Sequence, residues 1–93
     1  MEKYTIDFTE VKTVWYFYEA IQKGLELPDW FGKNLDALWD MLTGYVEYPA
    51  IIYIKGANTI NTELENKFAD VLSLISEAAN YYSDERFYLK IID

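Results

Sequence analysis

Ninety-three residues with a net charge of −8 and a pI near 4.3 describe an acidic chain. A chain this size can bury roughly 60% of its unfolded surface, so one folded unit spanning residues 1–93 is expected. The absence of cysteine and histidine excludes disulfides, thiolate chemistry and the commonest general base and transition-metal ligand. Sixteen acids oppose eight bases, with Arg86 the single arginine, which argues against a direct nucleic-acid partner. No apolar run approaches the ~20 residues that span a bilayer. Glu2 and Lys3 lead into a strand-like segment without a signal peptide, so a soluble, cytoplasmic protein is expected.

In chain order, Tyr4, Ile6 and Phe8 alternate with Thr5 and Asp7, the pattern of a half-buried strand. Val14, Tyr18, Ile21 and Leu25 recur at helical spacing and predict a helix over about 13–24, ended by Leu27-Pro28. Asn34 is the expected N-cap of a second helix and Gly44 its stop, with Gly32 as a turn former before it. Ala50 to Ile54 is wholly apolar, as for a central strand covered on both sides. Thr62 and Glu65 have the spacing of a capping box, with Thr62 at the N-cap. Behind it Leu64, Phe68, Val71, Leu72, Ile75, Ala78 and Ala79 form a helical stripe, and Phe87, Leu89 and Ile91 alternate in a closing strand. The order β-α-α-β-α-β implies a parallel sheet. With strand order 1-2-3, two right-handed crossovers put the helices on one face, giving a two-layer α/β fold.

The second helix carries the chemistry. From Glu26 to Glu47 there are five acids (Glu26, Asp29, Asp36, Asp40, Glu47) and one base, Lys33. With Asp36 at zero and about 100° per residue, Asp40 falls near 40° while Leu35, Leu38 and Leu42 fall between −100° and −160°. The leucines turn inward, the aspartates face water, and Trp39 lies between them. Two like charges one turn apart repel, and only Asp36 is helped by the helix dipole. A solvated face is the commoner role for such aspartates, and a core position for such a tryptophan. Here, however, Trp30-Phe31-Gly32 precedes the ridge and Gly44-Tyr45-Val46 follows it, and an acidic surface flanked by aromatics suits a cationic partner. Trp15, Tyr16, Tyr81 and Tyr82 fall at or near helix surfaces, where packing is the default explanation and Trp15 a candidate second contact. Two carboxylates can hydrolyse glycosides, but an exposed ridge offers no desolvation to raise a pKa. Neither a metal nor a cofactor is expected, since no dense ligand loop is present.

The segment Gly32-Lys33-Asn34-Leu35-Asp36-Ala37-Leu38-Trp39-Asp40, continued by Leu42-Thr43-Gly44-Tyr45-Val46-Glu47-Tyr48-Pro49, closely resembles the barstar family. These are intracellular inhibitors of secreted bacterial ribonucleases of the barnase type. The resemblance implies a barstar-like fold and an acidic helix that plugs a nuclease active site, meeting the cations that hold RNA phosphates. It assigns Asp36 and Asp40 to the two central aspartates, and Asn34, Leu35, Trp39, Gly44, Val46 and Glu47 to further contacts. It aligns Glu77 with another acidic contact. It also marks departures: Trp30 stands where the family has a tyrosine, Tyr45 where it has a tryptophan, and Lys55 to Asn61 differs. The implied partner is a basic, extracellular-type ribonuclease bound 1:1 by an inhibitor that is a monomer when free. The competing reading is an acidic interaction protein of the same fold that binds another basic protein without inhibiting it.

Overall fold

A computed structural model of the chain describes residues 2–82 and 87–92, apart from the side chains of Tyr82 and Phe87. Three strands, β1 (Glu2–Asp7), β2 (Ala50–Lys55) and β3 (Phe87–Ile91), form a parallel sheet in the order β1-β2-β3, as expected. The register aligns Tyr4 with Ile52 and Leu89, and Ile6 with Ile54 and Ile91. Tyr4, Ile6, Ala50, Ile52 and Ile54 are buried beneath the helices α1 (Val14–Gly24), α2 (Leu35–Gly44) and α3 (Glu65–Tyr82). No helix among the described residues is long and apolar enough to cross a membrane.

The central strand departs from its predicted environment. Ile51 and Tyr53 are only half-buried, because both crossovers place their helices on the other face. The open face carries Lys3, Ile51 and Tyr88 in one row and Thr5, Tyr53 and Lys90 in the next. At the edge, β3 leaves Ile91 exposed although its parity points inward. The inward role read for Phe87 lies outside the described side chains.

Helix α1 is capped by Thr13, whose hydroxyl accepts a hydrogen bond from the Tyr16 N–H at 3.2 Å. Phe17, rather than the predicted Val14, joins Tyr18 and Ile21 in the core, where its ring stacks on Phe8 at 4.9 Å. The helix ends at Gly24, ahead of Leu27-Pro28. Two bonds close it: the Glu26 N–H donates to the Lys23 carbonyl (3.2 Å) and the Leu27 N–H to the Gln22 carbonyl (2.9 Å). This is a Schellman closure with Glu26, at φ 55°, where glycine is usual. Glycine appears instead at 24 for want of space: a Cβ there would lie 2.5 Å from the Thr5 carbonyl oxygen and 2.7 Å from Ile6 Cα.

Helix α3 carries its predicted stripe, with Leu64, Val71, Ile75 and Ala78 buried and Phe68, Leu72 and Ala79 half-buried. Its cap is displaced. A 3₁₀ turn over Thr62–Leu64 precedes Glu65, and the cap is Asn61, whose Oδ1 accepts from the Leu64 N–H at 3.1 Å. Asparagine at 61 reaches the first free N–H before Thr62 can. We expect Asn61→Ala to cost about 1 kcal/mol of stability and Thr62→Ala less than ~0.5 kcal/mol, measured by urea denaturation.

Candidate functional site

The loop entering α2 sets the helix start. Asn34 is extended (φ −149°), its Oδ1 accepts from the Ala37 N–H at 2.7 Å, and its Nδ2 donates to the Gly32 carbonyl at 3.2 Å. The left-handed residue of this loop is Lys33 (φ 52°), not Gly32, at a cost of roughly 1 kcal/mol relative to glycine. Gly32 has a packing role: a Cβ there would approach the Ala37 Cβ at 3.1 Å. Beyond the cap, Leu38, Met41 and Leu42 are buried and Leu35 half-buried against the core, which leaves Asp36 and Asp40 exposed together. Four residues separate them, about 6 Å along the axis. This is the ridge that the helical spacing predicts.

Two aromatic pairs border it. Trp30, 70% exposed, meets Tyr45 edge to face with centroids 6.3 Å apart, so the loops on either side of α2 touch each other. Trp39 is half-buried, as its place between the leucines and aspartates implied, and packs edge-on against Tyr81 at 5.8 Å. That contact ties α2 to α3. Glu77, exposed on α3, lies one turn before Tyr81 and so on the same helical face. Sequence reading left Tyr81 as ordinary packing, yet its four-residue spacing from Glu77 was a usable signal.

The exit from α2 is closed by the Tyr45 and Val46 N–H groups, both donating to the Met41 carbonyl at 2.9 and 2.8 Å, and the Tyr48 hydroxyl donates to the Leu42 carbonyl at 2.7 Å. Val46 is buried, so its side chain belongs to the core. Gly44 ends the helix without a left-handed φ, and a Cβ there would meet nothing within 4 Å. The free protein therefore has no evident need of glycine at this position.

Past Gly44 the acidic character continues. Glu47 shares with Glu2, Glu26, Tyr4, Tyr45 and Val46 a hollow of about 360 Å³. The sequence did not suggest Glu2 here, because only the pairing of β1 with β2 brings it to the same hollow as Glu47. Tyr4 records this environment. Burial raises its pKa above the usual tyrosine value, a hydrogen bond to the Glu47 backbone pulls the other way, and the Glu2, Glu47 and Glu26 charges add to the rise. Among the described residues, no three His, Cys, Asp or Glu side chains are grouped as a metal site.

These features define a class: a two-layer α/β protein that displays an acidic, aromatic-bordered helix above a parallel sheet. Residues 1–93 match the family described as Barstar (barnase inhibitor), and the chain belongs to this family of ribonuclease inhibitors. It is 38% identical over 85 residues to "Putative ribonuclease inhibitor YrdF" of Bacillus subtilis (strain 168), covering 91% of this chain and 93% of that protein.

The Tyr4 pKa has a consequence for stability. A tyrosine whose folded pKa lies above its unfolded value contributes stability that is present below about pH 10 and lost as pH rises through the folded pKa. Urea midpoints measured between pH 9 and 11 should fall for the wild type and fall less steeply for Tyr4→Phe.

Proposed function

We propose that this protein inhibits a basic ribonuclease of the barnase type by seating α2 in its RNA-binding cleft, with Asp36 and Asp40 in the places of RNA phosphates. The observation that carries the reading is the pair of exposed aspartates on one face of a capped helix, between the Trp30–Tyr45 and Trp39–Tyr81 contacts. Membership of the barstar family and the ribonuclease-inhibitor name of its Bacillus relative support it. The protein acts as an inhibitor rather than an enzyme, in the cytoplasm, as a monomer that binds one nuclease.

The physics divides into approach and retention. A net charge of −8 accelerates encounter with a basic partner, and salt weakens that steering. Once water is excluded, each carboxylate that pairs with a nuclease cation slows release, since separation leaves opposing charges buried and unmatched. Asp40, a turn deeper into the ridge, contributes most, Asp36 next, and Glu77 from the periphery less. Trp30, Trp39 and Tyr45 supply rigid apolar area around the charges, Leu35 and Asn34 border the entry, and Glu47 and the Val46 backbone extend the contact beyond α2. Gly44 lets the partner's backbone come close.

Titration of a barnase-type ribonuclease tests this. Asp40→Ala should weaken inhibition roughly 100-fold or more, the range expected when one member of a buried charge pair is removed. Gly44→Ala should leave folding intact, or raise stability by up to ~1 kcal/mol, while weakening inhibition. Equal potency of wild type and Asp40→Ala would reject the assignment.

A further inference from the structure

Lys33 reaches away from the ridge. Its Nζ lies 4.8 Å from the ring centroid of Trp15 at the start of α1, so a cation–π contact joins the loop before α2 to a different helix. Trp15 is 59% exposed, and its neighbours Val14 and Tyr16 are exposed as well, although Phe17 and Tyr18 are buried. Such a tryptophan contributes little to the core, and indole is among the side chains that most often anchor a partner. Lys33 directly precedes Asn34, the cap of α2, so the contact sets Trp15 beside the loop that enters the ridge helix.

We infer that the ribonuclease-docking surface continues from the α2 ridge across Lys33 onto Trp15, and that the nuclease presents a carboxylate or other acceptor to Lys33 beside an apolar contact to Trp15. The inference rests on the ridge reading, because it takes the same partner and the same footprint. Charge argues for this occupant. Lys33 is the one base among the five acids between Glu26 and Glu47, so a partner that is cationic everywhere is attracted at Asp36 and Asp40 and repelled at Lys33. Lys33 and Trp15 therefore select, among basic nucleases, those whose cationic cleft has an acidic rim on the α1 side.

The test uses the full chain and a barnase-type ribonuclease as probe, with Kd measured by calorimetry for Trp15→Ala, Lys33→Ala, the double variant and Asp40→Ala, and melting temperatures recorded for each. Trp15→Ala and Lys33→Ala should each raise Kd about fivefold or more, and the double variant little beyond the larger single, since the two side chains act as one unit. Lowered melting temperatures with unchanged Kd would overturn the inference, for then the pair only braces the loop. Loss of binding at Asp40 with none at Trp15 overturns the extension and leaves the ridge standing; loss at Trp15 with none at Asp40 overturns the ridge reading and, with it, the extension built on it. A Trp15-dependent dimer in sedimentation, with nuclease binding unaffected by Trp15→Ala, would also overturn it.

Discussion

The hydrogen bond from the Ala37 N–H to the Asn34 side chain, 2.7 Å long, decides where α2 begins, and the site depends on that starting point. Each residue turns a helix by about 100°, so a start displaced by one position would move every later side chain to another face. Burial of Leu38 and Leu42 locks the same rotation from the opposite side. Cap and core thus agree on one phase, in which two aspartates share the face turned to solvent. The left-handed Lys33 is a local cost of that geometry, since the chain must turn sharply to bring Asn34 into the extended cap conformation.

Charge is distributed unevenly over this frame. Asp36 and Asp40 share the exposed face of α2, and Glu2, Glu26 and Glu47 line one hollow beside the helix exit. Lys3, Lys55 and Lys90 stand with Asp7 on the open face of the sheet, on the far side from the helices. Under the reading proposed above, a basic partner is drawn first to the acids around α2. The aromatic pairs act at shorter range: Trp30 braces Tyr45 and Trp39 braces Tyr81, so large side chains are partly ordered before any partner arrives. Ordering in advance lowers the entropy lost on binding.

Much of this was legible in the sequence because it rests on period and chemistry. The leucine spacing of α2, the aspartates opposite and the Asn34 cap are local properties that short-range physics reads directly. The strand order followed from the alternating first and last segments, which fit edges, and the all-apolar middle one, which fits the centre. What escaped depends on neighbours distant in the chain. Ile51 and Tyr53 look like a strand covered twice, but the layer count leaves one face open. Val46 reads as part of an aromatic loop, yet the turn after α2 folds it into the core. Glu26 closes α1 in a conformation that glycine favours, so the helix stop carried no glycine signal, and Asn61 competes with Thr62 for the same N–H groups. The Trp15–Lys33 contact bridges two helices and has no periodic signature.

The central claim is that α2 meets the partner's RNA-binding cations through Asp36 and Asp40. A crystal structure of the complex with a barnase-type ribonuclease tests it most directly. The account predicts both carboxylates within hydrogen-bond distance of basic side chains in the nuclease's active-site cleft, with Trp30 and Trp39 covered at its margins. A complex in which the nuclease sits elsewhere and these two carboxylates remain in solvent would contradict it.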